Sequence, residues 1–153
     1  MMPRHDRPPV AGRAYRDRPG AYAILLRGGK VLVTHQQRPW SEFQLPGGGI
    51  DPGEQTLPAL VREIREETGW SVAGLRRLGI YQRFTYMPEY DLWARKLCQV
   101  WVGRPVMRLG PPAEEGHSAH WMTPHEAARV LASAGDRVFV QELLEVSLPP
   151  RAR

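Results

Sequence analysis

Short continuous runs of apolar residues occupy the first third of the chain, a pattern typical of buried β-strands. Runs at 22–26 and 31–33 flank the pair Gly28-Gly29, which predicts a β-hairpin. Residues 43–45 predict a further short strand. The segment 47–53 holds four glycines and one proline, so it predicts a loop that bends sharply.

The period changes to that of a helix between residues 56 and 68. One face of this helix carries five positions that we expect to pack onto the core: Leu57, Leu60, Val61, Ile64 and Thr68. Gly69 follows the last of them, and glycine is the residue that most often ends a helix. The pattern therefore predicts a single amphipathic helix with a defined end.

The second half of the chain predicts two long strands, then a short strand and two helices. The long strands cover 75–86 and 94–103, and the short strand covers 120–122. Thr123 begins a capping box for one helix, and Asp136 is the predicted N-cap of the last. The predicted elements show no internal repeat and no second set of core-forming segments, which favours one domain.

Length and composition narrow the class of protein. A chain of 153 residues with 42% apolar and 24% charged residues is typical of one globular domain. No apolar run approaches the roughly 18 residues of a membrane span, and the N-terminus has no apolar signal segment. Cys98 is the single cysteine, which excludes an internal disulfide and suits a reducing, cytoplasmic location. We expect its side chain to lie in the core.

The net charge of +5 lies at the ends of the chain. Residues 1–19 form a Pro- and Arg-rich arm of charge +3, and the tail at 149–153 adds +2. The remaining domain, 20–148, is neutral, so it offers no folded basic face and a nucleic-acid partner is disfavoured. We expect the arm to be flexible, with an extended strap over the domain as the alternative.

Carboxylates cluster on the helix that follows the glycine-rich segment. Glu63, Glu66 and Glu67 are spaced i, i+3 and i+4 and share one face, and Glu54 lies in the preceding loop. Like charges at this spacing repel one another, and Arg62 offsets part of the repulsion by pairing with Glu66. Such a cluster has the oxygen ligands that Mg²⁺ requires.

The same residues resemble the Nudix box, G-x5-E-x7-R-E-U-x-E-E-x-G-U, in which U is a bulky aliphatic residue. Every fixed letter is present from Gly48 to Gly69, and the one departure is Trp70 at the final U. The resemblance implies an α/β/α sandwich around a mixed β-sheet, with the box as a loop–helix–loop. It also implies a hydrolase that cleaves the pyrophosphate bond of a nucleoside diphosphate linked to a group X.

The resemblance also implies a role for each residue of the box. It implies Mg²⁺, or Mn²⁺ as the alternative, bound by Glu63, Glu66, Glu67 and the carbonyl oxygen of Gly48, and Glu63 as one candidate base. Two residues would orient these ligands: Glu54 and Arg62. Outside the box, the spacing to Trp121 in MutT-type members selects Glu115 as a further ligand or base in preference to its neighbour Glu114.

The candidates for substrate binding are a few aromatic residues and one aspartate. Tyr86 and Trp93 are aromatic residues that could stack on a base, as could Tyr90 and Trp101, and Asp136 is a candidate hydrogen-bond partner of that base. The histidines, including His117 and His120, form no recognisable metal motif and are expected at the surface or the substrate edge.

Several substrates remain open at this stage. A nucleoside triphosphate or related nucleotide is the leading candidate, and a dinucleoside polyphosphate or a nucleotide sugar is the alternative within the same chemistry. A catalytically silent nucleotide-binding regulator is disfavoured because the box is intact. RNA 5′-end processing would use the basic arm. A homodimer also remains open.

Overall fold

The computed structural model describes residues 2–147; Leu148 and the predicted tail at 149–153 lie outside the described residues. The strands are β1 (Arg16–Arg27), β2 (Lys30–Gln36), β3 (Glu42–Gln44), β4 (Gly47–Gly49), β5 (Trp70–Met87), β6 (Leu92–Arg108) and β7 (His117–Met122). The helices are α1 (Thr56–Thr68), α2 (Pro124–Val130) and α3 (Ala134–Ser147). A 3-10 turn at Pro88–Tyr90 joins β5 to β6. No helix within residues 2–147 is long and apolar enough to cross a membrane.

The strands form one mixed sheet in the order β3-β2-β1-β6-β5, with β4 paired to β1 and β7 paired to β2. Strands β1 and β6 are parallel, and the other pairs are antiparallel. The predicted hairpin joins β1 to β2. Gly28 and Gly29 both have positive φ, 58° and 74°, as a tight turn that matches the strand twist requires.

Both faces of the sheet are covered, because side chains alternate along the central strands. Ile24 faces α2 and α3, together with Cys98 in its predicted core position. Ala23 and Leu25 face the other way, against Leu60 and Ile64 of α1. The fold is therefore the expected α/β/α sandwich.

Helix α1 has the predicted bounds, and Gly69 ends it with a φ of 79° while its N–H donates to the Arg65 carbonyl. Its buried face is narrower than predicted. Leu57 and Val61 are 42% and 41% exposed, so their expected core positions are wrong. The sheet contacts α1 through a stripe centred on Leu60 and Ile64, and the two exposed residues lie outside that stripe.

Two local predictions also need correction. Gly47–Gly49 is not loop but strand β4, because its backbone pairs with β1, for example Gly48 opposite Ala21. Asp136 is not an N-cap, because α3 begins two residues earlier, at Ala134. The capping of α2 is confirmed at its first turn, where the Thr123 hydroxyl accepts from the backbone N–H of Glu126.

The N-terminal segment is an extended strap rather than a separate arm. The expected boundary at residue 19 is wrong, because β1 begins at Arg16 and pairs with β6 from there. Residues before it lie along β5, where the Gln82 N–H donates to the Pro3 carbonyl at 2.9 Å. The Ala134 N–H donates to the Asp6 carboxylate at 3.4 Å. Strand β5 is a sheet edge, and its unpaired backbone groups favour such an addition.

Deleting residues 2–7 should therefore destabilise the domain, although their composition suggests that they bury little. The deletion removes the hydrogen bond to Gln82 and the bond to Ala134, so the free energy of unfolding should fall by about 2 kcal/mol. Urea unfolding measures the change, with Arg7→Gln as the control for lost charge. Equal unfolding midpoints for the deletion and the full chain would show that the strap contributes nothing.

Candidate active site

Arg62 lies at the centre of the acidic face of α1. Its guanidinium is 3.2 Å from the Glu54 carboxylate, 3.3 Å from that of Glu63 and 3.3 Å from that of Glu66. The predicted pairing of Arg62 with Glu66 is thus present. Glu54 also accepts from the Asp51 N–H at 3.0 Å, and this bond, together with Arg62, lowers the pKa of the Glu54 carboxyl. The network fixes α1 relative to the loop that precedes it.

Glu67 is the buried member of the cluster, with 6% of its surface exposed. One of its carboxylate oxygens accepts from the backbone N–H of Gly47 at 3.0 Å. Burial raises the pKa of this carboxyl well above its usual value, and the neighbouring Glu114, Glu63 and Glu66 raise it further. No lysine or arginine in the described part of the chain forms an ion pair with it. The side chain is therefore an acid held in place without a compensating cation.

Two glycines allow the backbone of β4 to approach these acids. A Cβ on Gly48 would lie 3.0 Å from the carboxyl carbon of Glu63, so any larger residue there would require the Glu63 carboxyl group to shift. Gly47 has a φ of 143°, and a Cβ there would lie 2.1 Å from the carbonyl oxygen of Ala21. Burial also raises the pKa of Glu63. The glycine-rich strand thus forms one wall of the acidic site.

The loop before β7 brings Glu114, not Glu115, to this wall. The backbone N–H groups of Ala113 and Glu114 donate to the carbonyl oxygen of Glu66, at 2.8 Å and 3.3 Å. Docked in this way, the loop places ligand atoms of Glu114, His117 and Glu67 within 4.8 Å of one another. The predicted position of Glu115 in the cluster is wrong, because the docked residue is its neighbour.

Sequence reasoning missed both Glu114 and His117. The i, i+3 spacing of these two residues was the only available signal, and it does not show that a strand begins at His117. The expectation that His117 lies at the substrate edge is consistent with its place beside the cleft. A ring nitrogen of His117 lies close enough to the Glu67 and Glu114 carboxylates for the three side chains to share a metal ion, a grouping that the sequence pattern does not indicate.

A cleft of about 1100 Å³ opens beside the acids. Glu63, Glu67 and Glu114 line it, whereas the Glu66 carboxylate lies against Arg62 outside it. A second part of the lining is basic or aromatic: Arg16, Arg18, Tyr22, Arg38, Tyr90 and Lys96. The cleft is large enough for a nucleotide-sized ligand and combines acidic with basic walls.

Three predicted substrate residues do not line this cleft. Tyr86 donates its hydroxyl to Asp91 near the end of the β5–β6 hairpin. Trp93 lies opposite it and stacks beneath the Arg13 guanidinium, 3.7 Å from the ring centroid. Asp136 is buried on α3 and accepts from the Tyr81 hydroxyl at 2.7 Å. Tyr90, another of the predicted aromatic residues, does line the cleft.

The acidic helix, the glycine strand and the surrounding sandwich can be compared with known families. The family model described as NUDIX domain matches residues 16–143. The chain belongs to the NUDIX family. The match covers β1 through most of α3 and so includes the acidic helix α1.

The curated relatives of this NUDIX chain do not share one named activity. An RNA pyrophosphohydrolase of Erythrobacter litoralis is 38% identical over 102 residues, which cover 64% of this chain and 55% of that protein. An 8-oxo-(d)GTP phosphatase of Mycolicibacterium smegmatis is 30% identical over 117 residues, 76% of this chain and 34% of that one. The chain therefore spans between about a third and about half of the length of these curated relatives.

A solved NUDIX hydrolase from Nitrosomonas europaea superposes with a TM-score of 0.68 at 18% identity, covering 89% of this chain and 94% of that one. At this identity the likeness establishes the fold alone. It agrees with the two-sided packing of the sheet described above.

NUDIX hydrolases generally use divalent metal ions, and the residues present here fit such an ion. Carboxylates dominate the site, and oxygen ligands suit a hard divalent cation. Glu67 lacks a cationic partner among the described residues, and its pKa is raised by burial and by the other acids. A bound cation would relieve that repulsion.

Proposed function

We propose that this NUDIX chain hydrolyses a pyrophosphate bond in a nucleoside diphosphate linked to a group X, with Mg²⁺ at the acidic cluster and a nucleoside triphosphate as the leading substrate. One observation carries the proposal. Glu63 and Glu67 of α1, which lie against the glycine backbone of β4, and Glu114 of the loop before β7 line the same nucleotide-sized cleft.

The ligands of the ion would come from three elements. Helix α1 would supply Glu63, which lies against Gly48, and Glu67, which the Gly47 N–H anchors. The loop before β7 would supply Glu114, and the first residue of β7 would supply His117. Mn²⁺ is the alternative ion for the same donors. When bound there, the ion neutralises phosphate oxygens and lowers the pKa of water.

Residues of the chain supply the remaining chemistry. Arg62 holds Glu54, Glu63 and Glu66 in one network, which keeps the ligands in fixed positions. Glu114 is exposed on its loop and faces the cleft, where it can accept a proton from the attacking water. Glu63 is the second candidate for that proton. The basic residues of the cleft would orient an anionic substrate.

Processing of RNA 5′ ends is a second candidate function, and it rests on a specific observation. Arg16 and Arg18 were expected on a separate arm, but they lie on β1 and line the cleft itself. A relative named RNA pyrophosphohydrolase is consistent with this candidate. Both candidate functions place a 5′-terminal polyphosphate at the acidic cluster.

A panel of purified nucleotides incubated with Mg²⁺ tests the proposal. The panel contains nucleoside triphosphates including 8-oxo-dGTP, a dinucleoside polyphosphate, a nucleotide sugar and a 5′-triphosphorylated oligonucleotide, and mass spectrometry identifies each product. We expect cleavage within a polyphosphate chain. Recovery of every substrate intact, with Mn²⁺ as well as Mg²⁺, would support the silent regulator and refute the proposal.

Replacing Gly48 by alanine should damage the site more than the fold. The new Cβ would lie 3.0 Å from the Glu63 carboxyl carbon and displace it, so kcat/KM should fall by about 10- to 100-fold, as for other losses of ligand positioning. Gly49→Ala is the matched control, because its Cβ would have nothing closer than the Pro19 carbonyl oxygen at 3.9 Å. Equal activity of the two variants would contradict the placement of the backbone in the site.

A further inference from the structure

The basic residues of the cleft are aligned across the sheet. Arg18 of β1 is the register partner of Lys96 of β6, and Lys96 is the register partner of Arg83 of β5. Register partners project from the same face of a sheet, so three cations stand side by side. Arg18 and Lys96 line the cleft, and Arg16 lines it two residues further out on β1.

These cations are only partly neutralised. Arg83 lies 3.8 Å from the Asp6 carboxylate of the strap. Asp17 also lines the cleft, but its carboxylate is paired with Arg95 at 2.8 Å. Within residues 2–147, Arg16, Arg18 and Lys96 form no ion pair, and the lining near them holds one further acid, Glu89 of the 3-10 turn. Adjacent like charges repel, so their alignment favours an anionic ligand.

Arg18 is also held in position. Its guanidinium carbon lies 4.7 Å from the centroid of the Tyr90 ring, and Tyr90 belongs to the 3-10 turn that closes the β5–β6 hairpin. Stacking on an aromatic face fixes the plane of a guanidinium while leaving its N–H groups free to donate to a phosphate. A guanidinium that is already held in one orientation loses less conformational entropy when it binds an oxyanion.

The aligned cations are separated from the acidic cluster along β1. Gly48, which contacts Glu63, pairs with Ala21. Arg18 and Arg16 precede Ala21 by three and five residues, which at about 3.3 Å per residue is about 10 and 17 Å along the strand. One phosphate cannot reach both ends, so the cations would contact a different anionic group of the same ligand.

From this arrangement we propose that Arg16, Arg18 and Lys96 form a second phosphate subsite. It binds a phosphate one nucleoside beyond the 5′ polyphosphate whose bond is cleaved. The preferred substrate then carries a 3′-linked phosphate, either as a monoester on a single nucleotide or as the first phosphodiester of an oligonucleotide. The inference deepens the proposed function, because it names the class of nucleotide that the same cleft prefers.

Binding of uncleavable ligands tests the subsite. The probes are guanosine 5′-monophosphate, guanosine 3′,5′-bisphosphate and the 5′-phosphorylated dinucleotide pGpG, titrated in Mg²⁺ by calorimetry. The full chain should bind the latter two about tenfold more tightly than the monophosphate, since a charge-assisted hydrogen bond contributes that much. Arg18→Gln and Arg16→Gln should each reduce this preference to less than about threefold, and Arg77→Gln, on an exposed part of β5 outside the cleft, should retain it.

Each result of the titration has a defined meaning. A preference for the bisphosphate alone identifies single nucleotides as the source of the second phosphate, and an equal preference for pGpG identifies oligonucleotides. Equal affinity for all three ligands, or a preference that survives both cleft substitutions, overturns the subsite. None of the probes contains a pyrophosphate bond, so the result can be read even if the nucleotide panel shows no hydrolysis, which would overturn only the proposed function.

Discussion

Replacing Glu67 with glutamine should lower kcat/KM by about 10²- to 10⁴-fold, because the loss of a metal ligand removes several kcal/mol of transition-state stabilisation. Glutamine keeps an oxygen that can accept from the Gly47 N–H, so the position of the side chain is preserved. The substitution removes only the negative charge. A loss of this size would therefore report on the ion rather than on the packing of α1.

The same substitution should not destabilise the metal-free protein. Burial and the neighbouring acids raise the pKa of Glu67, so an ionised carboxylate at this position costs folding free energy. We expect the thermal midpoint of Glu67→Gln in EDTA to equal or exceed that of the parent chain. Unchanged turnover at saturating Mg²⁺ would contradict the metal site, whereas a lowered midpoint would assign Glu67 a structural role instead.

Replacing Glu114 with glutamine should reduce turnover by about 10²- to 10⁴-fold, as expected for the loss of a positioned base. The adjacent Glu115→Gln provides a matched control, because both variants remove the same charge from the same loop. Only Glu114 has a carboxylate oxygen beside Glu67 and His117. Glu115 is exposed and does not line the cleft, so its loss should leave turnover near that of the parent chain.

Turnover across a range of pH at fixed Mg²⁺ distinguishes the two variants. A large loss in Glu115→Gln with little change in Glu114→Gln would show that the docked loop has a different register during catalysis. Small and equal losses would assign the proton transfer to Glu63.

The α1 region could be predicted from the sequence because its determinants are local. The helical period, the αL conformation of Gly69 and the i, i+4 pairing of Arg62 with Glu66 each involve residues within one or two turns. The prediction of which residues form the buried face of α1 is less accurate. Leu57 is apolar, but its exposure depends on how the sheet approaches the helix, which the period alone does not determine.

The residues outside the box could not be placed because tertiary contacts decide their positions. Glu114 reaches the acids only because the Ala113 and Glu114 N–H groups bind the carbonyl oxygen of Glu66, far away in sequence. The spacing to Trp121 could not separate Glu114 from its neighbour. Likewise, aromatic character did not show that Trp93 stacks beneath Arg13 while Tyr90 reaches the cleft.

The N-terminal strap shows a further limit of composition. Proline, arginine and few large apolar residues predict a flexible arm, because such a segment buries little apolar surface. Its order depends instead on backbone groups, such as the Pro3 carbonyl that accepts from Gln82 on the edge strand. Sequence hydropathy carries no information about that kind of contact.

Hydrolysis in ¹⁸O-labelled water tests the central claim most directly. The nucleotide of the panel that is cleaved fastest is incubated under three conditions: with the full chain and Mg²⁺, with the full chain in EDTA, and with the Glu67→Gln variant and Mg²⁺. Mass spectrometry then measures the mass of each product. The account predicts a single ¹⁸O in one phosphate-containing product, formed only by the parent chain with Mg²⁺. Products without the label, or labelled products formed equally fast in EDTA, would contradict it.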